Sequence, residues 1–298
     1  MNAIEREIKK RAKQDRFGPR LHQPLGQAAS RKEAFRDFAG QAHQTDVAMP
    51  RAGDGIVQQL APRRTQHRGI AGALAKRLAS VRDNVPRRDR LQDRGKLDRT
   101  RLANAMAGGK DVYTREREMP ATSFAVSVAV DLSGSMNTQM TSGALYDAAM
   151  VLGETFQILD MPYEVRGFSN NSLQYKAMDD KQIDPARAAM LTRGPGGGTN
   201  MFETAGLATT SLGGRPEKNR LFISLTDGDL SDHVATSHQL AKAREQGIVT
   251  FGIFLGVGAN SALMNELYGP GNWTTINDLK QMPIQVGSRI EKILKSIR

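Results

Sequence analysis

From residue 122 onward, short apolar runs alternate with longer amphipathic stretches. The runs at 123–130, 163–168, 172–177, 220–226, 248–255 and 273–276 predict strands, and the stretches at 142–159, 184–192, 201–212, 232–246 and 283–297 predict helices. Apolar strands separated by amphipathic helices require helices on both faces of the sheet. The expected fold is therefore α/β: a doubly wound, mostly parallel sheet over residues 120–298. Segments 163–168 and 172–177, joined by Ser169–Ser172, predict an antiparallel hairpin at an edge.

The pattern before residue 120 is weaker. Residues 1–60 are polar, with helical composition at 3–15 and 29–40 but only a thin apolar stripe. This part is expected to be mobile, or helical only against a partner. Pro19, Pro24, Pro50 and Pro62 are expected to break it into short pieces. Residues 61–119 form a basic helical segment and linker. Within it, 68–82 places Ile70, Leu74, Leu78 and Val81 on one helical face, with a basic face opposite. Pro86 ends that helix, and residues 87–95 read as a charged connector. A second short helix is expected over 98–108, capped by Asp98 and stopped at Gly108–Gly109.

Charge sharpens this division. The net charge of +11 is carried by the N-terminal third: +4 over residues 1–60, +9 over 61–101 and −2 over 102–298. Such a basic segment suits phosphates or acidic proteins. No aromatic residue lies between Phe38 and Tyr113, so base stacking lacks support and nucleic acid is a secondary expectation. Cysteine is absent, which excludes disulfides and thiolate metal sites. There is no run of eighteen apolar residues and no apolar core of a signal peptide at the start. A cytoplasmic protein with no membrane partner is expected.

The candidate chemistry lies where predicted strands end. Asp131, Ser133 and Ser135 follow directly on the strand 123–130, at spacing i, i+2, i+4. Gly196–Gly198 with Thr199, and Asp227 after the strand 220–226, fall at later strand ends or loops. In such sheets ligands sit outside the carboxyl ends of the strands. An oxygen-only set suits a hard divalent cation such as Mg²⁺. Hydroxyls leave the cation with much of its charge, so it attracts an outside carboxylate. Asp227 is expected to act through water, and Asp229 is a candidate for the surrounding shell. The glycine run lacks the Gly-Lys-Ser/Thr ending of a phosphate loop. Phosphoryl chemistry would need a base and a clamp near the cation, and the motifs supply neither. Met136 and Met201 flank the segments and are expected to shape the rim. His233 and His238, at i, i+5, read as surface residues, and Trp273 as core packing.

With these motifs the chain resembles von Willebrand factor A (VWA) domains, whose Asp-x-Ser-x-Ser, Thr and Asp-Gly motifs form a metal-ion-dependent adhesion site. The resemblance implies that Ser133, Ser135 and Thr199 ligate Mg²⁺, with Asp131 and Asp227 acting directly or through water. Upstream, residues 95–107 and 112–119 resemble the segment preceding this domain in the CobT subunit of cobaltochelatase. That resemblance implies a non-catalytic adaptor working with an AAA+ ATPase of the CobS or MoxR kind, whose acidic residue completes the metal coordination. The alternative it implies is a non-catalytic subunit of a cobalt or magnesium chelatase for tetrapyrroles, beside a large metal-inserting subunit.

Overall fold

A computed structural model describes residues 51–82, 87–92, 94, 96–101, 103, 106–108, 112–117, 123–228, 230–231, 233–256 and 258–296. The helical stretches expected at 3–15 and 29–40 lie outside the described residues, as do Pro86 and Asp229.

Six strands form the main sheet: β4 (Phe124–Asp131), β5 (Tyr163–Phe168), β6 (Ser172–Lys176), β7 (Asn219–Thr226), β8 (Ile248–Leu255) and β9 (Trp273–Ile276). A smaller sheet precedes them, described below with its strands β1–β3. The order in the main sheet is β6-β5-β4-β7-β8-β9, parallel throughout except for β6, which pairs antiparallel with β5 at one edge. The mostly parallel α/β sheet expected from the alternation is the one observed. From β4 the chain winds first towards β6 and then towards β9. The strand order therefore reverses at β4, and the crevice outside the carboxyl ends of β4 and β7 is the ligand position of this topology.

Alternation along the buried strands builds two cores. Val126, Val128 and Val130 of β4, with Leu221, Ile223 and Leu225 of β7, enter one core. Helices α3 (Ala144–Ile158) and α8 (Met282–Ser296) cover it, through residues such as Leu152, Phe156, Val286 and Ile290. Ala125 and Ala129 of β4 and Phe222 of β7 enter the other core. There they meet α5 (Met201–Gly213), α6 (His233–Glu245) and α7 (Ser261–Tyr268). Asp131 shares the parity of Ala125 and Ala129, so the last residue of β4 belongs to this second face.

Helix α1 (Asp54–Arg82) differs from expectation. It begins well before residue 68 and carries Pro62 in its interior. Proline removes one hydrogen bond and usually breaks a helix, but packing overrides it here. Ala71, Leu74, Ala75 and Leu78 are buried, and α1 packs along α3 and α8. Two buried leucines contribute on the order of 2 kcal/mol each. Arg63 donates to Asp147 (2.8 Å), His67 Nε2 lies 3.0 Å from Asp147, and Arg77 pairs with Glu291 (3.5 Å). Ile70 is partly buried, as an amphipathic helix requires.

One further expectation needs correction. The charged connector at 87–95 contains a strand, β1 (Arg87–Gln92), in a small antiparallel sheet of order β1-β3-β2 with β2 (Lys96–Leu97) and β3 (Tyr113–Arg117). Its four consecutive charged residues, Arg87–Arg90, carry no apolar period to announce a strand. The helix expected over 98–108 begins as expected, with Asp98 accepting from the Thr100 amide (3.0 Å); Arg99–Arg101 form a 3₁₀ turn, and the described residues Ala103 and Met106 beyond it are helical. The described residues hold two helices beyond those expected. A short α2 (Asn137–Thr141) precedes α3, and α4 (Pro185–Ala189) continues as a 3₁₀ turn to Thr192. Helix α7 was missed; its signal was Asn260, whose side chain accepts from the Ala262 and Leu263 amides at 3.1 and 3.2 Å.

Candidate metal centre

Asp131 is the deepest group of the site, with no exposed surface. One carboxylate oxygen accepts from the Ser133 amide at 3.0 Å, and the other accepts from the Thr226 hydroxyl at 2.7 Å. The second contact follows from register. Val130 pairs with Leu225, so Asp131 and Thr226 are the next residues of adjacent parallel strands on the same face. Thr226 is itself fixed, because its oxygen accepts from the Gly228 amide at 3.0 Å. Burial pushes the Asp131 carboxyl up from 3.8 to about 6; hydrogen bonds from Ser133 and Thr226 pull it down, and the Asp227 charge pushes it further up. The groups that favour its ionised form are thus neutral donors.

After β4 the chain turns through a 3₁₀ segment, Gly134–Met136. The turn brings Ser133 Oγ and Ser135 Oγ to 3.0 Å. Ser133 is buried and Ser135 is exposed, so the hydroxyl pair leads from the buried carboxylate to solvent. Asp227 follows β7 immediately and is half-buried beside a cleft of about 260 Å³. Gly228, Gly258, Asn260, Leu263 and Met264 complete the lining of that cleft.

Thr199 is nearly buried at the end of the glycine run. Its loop reaches the serine turn through the Gly134 amide, which donates to the Gly197 carbonyl at 3.1 Å. Ser231, next to α6, holds Thr199 from the other side. The Thr199 amide donates to Ser231 Oγ (2.9 Å), and the Ser231 amide donates to the Thr199 carbonyl (3.2 Å). The loop bends at Gly196 and Gly197, with φ of +67° and +94°.

The structure thus joins Asp131, Ser133 and Ser135 through direct bonds, couples Asp227 to Asp131 electrostatically, and ties the Thr199 loop to the serine turn. Thr226 and Ser231 were not singled out in the sequence. Thr226 could have been found from the parity of β7, because it precedes Asp227 on the face that Asp131 occupies. Met136 and Met201, expected at the rim, are fully buried and belong to the two cores. His233 and His238 are exposed, and Trp273 is partly buried against the second core while donating to Asn265 (2.8 Å).

The donor set fits a hard cation. Among the described residues no three His, Cys, Asp or Glu side chains are grouped to hold a metal, so a cation here relies on hydroxyls as well as carboxylates. Adjacent ligands of an octahedral Mg²⁺, at about 2.0–2.1 Å from the ion, lie about 2.9 Å apart, close to the serine oxygen separation. The buried, raised Asp131 carboxyl is the electrostatic counterpart, since a cation would stabilise its ionised form.

No family model matches the chain. Over 155 residues, 47% of this chain, it is 29% identical to an uncharacterised protein of Pseudomonas aeruginosa, and the match spans 25% of that protein's length. Among the described residues no helix is long and apolar enough to cross a membrane. Solved structures overlap with it at low identity. BatB from Bacteroides thetaiotaomicron aligns at a TM-score of 0.45 and 19% identity, over 58% of this chain and 99% of that one. A von Willebrand factor type A protein from Catenulispora acidiphila aligns at 0.40 and 18%, over 58% of this chain and 42% of that one. Proximal thread matrix protein 1 from the mussel byssus, described with a zinc-occupied MIDAS motif, aligns at 0.44 and 16%, over 58% and 46%.

Proposed function

We propose that the chain is a Mg²⁺-dependent protein-binding adaptor of the VWA type, in which Asp131, Ser133, Ser135, Thr199 and Asp227 form a metal-ion-dependent adhesion site. Its partner is an AAA+ ATPase, and an acidic residue of that partner completes the coordination. The observation that carries the reading is the pair of serine hydroxyls 3.0 Å apart, running from a fully buried Asp131 out to solvent at the sheet's switch point. A bound cation would supply positive charge and an open ligand position. The chain's own residues do the rest. Asp131, held by Thr226 and the Ser133 amide, anchors the site; the serines line its floor and exit; Asp227 borders the cleft where a partner side chain can enter.

Five oxygen ligands suit a hard cation that also takes a carboxylate from a partner. The positive charge of segment 61–101 suits an acidic partner.

The test is affinity capture with the full chain from its native cells. With Mg²⁺ present, the unaltered chain recovers an ATPase; EDTA, Asp131→Ala or the pair Ser133→Ala with Ser135→Ala lowers recovery at least tenfold, with the folded spectrum retained. Equal capture in EDTA and by the variants overturns the proposal. Co-recovery of a large metal-inserting subunit would assign the adaptor to a chelatase.

A further inference from the structure

Thr199 is the site residue that arrives on a loop rather than on a strand end, so its position depends on whatever fixes that loop. Besides the Ser231 and Gly134 contacts, one fixed point is a side chain from a third element. Asn170 sits in the turn between β5 and β6, and its Oδ1 accepts from the Gly198 amide at 2.8 Å. Next to it the Asn200 amide donates to the Ser169 carbonyl at 2.7 Å. The β5–β6 turn therefore grips the loop on both sides of Thr199.

The glycines take on a specific meaning here. A Cβ on Gly197 would stand 2.6 Å from the Asn170 amide nitrogen, and one on Gly198 would stand 3.0 Å from its oxygen. Gly198 lies outside the left-handed region, so its backbone would accept alanine; space for the Asn170 amide is what it provides. The glycine pair forms a socket for an amide.

We propose that Asn170 is a positioning residue of the metal site: its side-chain amide fills the socket left by Gly197 and Gly198 and so presents Thr199 to the cation. This inference rests on the metal-site reading above. Asn170 is exposed and at a hairpin turn, so its replacement leaves the fold and the unfolding temperature essentially unchanged. Residues that orient metal ligands typically contribute tenfold or more to affinity.

The experiment is a double-mutant cycle on the full chain, read as Mg²⁺ affinity by titration calorimetry. Asn170→Ala and Gly198→Ala each weaken Mg²⁺ binding about tenfold. The double variant is no weaker than Asn170→Ala alone, because the added methyl then has no amide to displace. In EDTA, exchange of the Gly198 amide speeds up in Asn170→Ala and is restored in Asn170→Asp, which keeps the acceptor oxygen. Equal Mg²⁺ affinity of the unaltered chain and Asn170→Ala, or fully additive losses in the double variant, overturns this inference alone. Absence of Mg²⁺ binding by the unaltered chain overturns the metal-site reading and this inference together.

Discussion

Two buried carboxylates on adjacent strands of one sheet face have opposite surroundings. Glu164 on β5 and Asp131 on β4 both have no exposed surface. Glu164 accepts from Ser127 (2.8 Å), from Ser211 (3.2 Å) and from the Arg166 guanidinium (3.0 Å). Asp131 accepts from an amide and a hydroxyl, and the charge acting on it is another carboxylate, Asp227. A buried charge persists only when it is paired or ligates a cation. Glu164 carries its counter-charge within the fold, two residues along its own strand. Asp131 stands at the strand end, where the counter-charge can come from outside. The difference separates a carboxylate balanced within the fold from one whose balance is left to the proposed cation.

The largest effect that tests this contrast belongs to Glu164. Glu164→Gln removes the charge that balances Arg166, whose side chain is only 13% exposed and whose Nε already lacks a partner among the described residues. Breaking one side of a buried pair costs about 3–5 kcal/mol. Urea unfolding should register a loss of that order, while Mg²⁺ affinity stays within twofold. A neutral substitution that weakened the metal site instead would dissolve the distinction.

How much of this was legible in the sequence follows from locality. Val126, Val128 and Val130, or Leu221, Ile223 and Leu225, announce buried strands by composition alone, and the Asp131–Ser135 motif is contiguous. Short elements were less visible. Strand β1 opens with four charged residues and has one apolar residue, Leu91, so it gives no apolar period, and α1 continues through Pro62 because two other helices pack on it. The supports of the site were invisible for a similar reason. Thr226, Ser231 and Asn170 are single polar residues on three different elements, and their roles appear only once register and loop contacts are known. A motif announces its donors; the residues that aim them are dispersed.

A smaller effect, of opposite sign, belongs to Asp131. In metal-free protein its carboxyl sits at about 6 rather than 3.8. The folded state therefore holds its proton through a window in which the unfolded chain has lost it. Stability falls as pH rises from about 4 to 6 and then levels off, because the folded state binds more protons within that window. A shift of about two units corresponds to roughly 3 kcal/mol at neutral pH. Asp131→Asn removes that cost while keeping the oxygen that accepts from Ser133, at the expense of a less favourable contact with Thr226. We expect the variant to melt about 3–5 °C above the unaltered chain at pH 7.5 in EDTA, with a smaller gap at pH 5. Saturating Mg²⁺ should close the gap by stabilising only the unaltered chain. A gap that widened at pH 5 would contradict the assignment.

The smallest effect concerns a third carboxylate, Asp147 of α3, which lies between the two extremes. Its side chain is 13% exposed and meets Arg63 at 2.8 Å and His67 at 3.0 Å, both from α1. Arg63 is 39% exposed, and it also donates to the Ser142 carbonyl at 2.9 Å. It fills the space beside Gly143, whose φ of +80° suits glycine. A pair this open to water is screened, and Asp147 keeps His67 when the guanidinium is removed. Arg63→Ala should therefore cost about 1 kcal/mol or less in thermal unfolding. The Ser142–Gly143 turn follows the serine segment through α2, so Mg²⁺ affinity is the more telling measurement. Asp131 takes its hydrogen bonds from Ser133 and Thr226, neither of which touches α1 in these bonds. Affinity should stay unchanged. A several-fold loss would mean that α1 acts on the site through that turn, and that the boundary between carboxylates neutralised within the fold and the one left open is set partly by the basic helix.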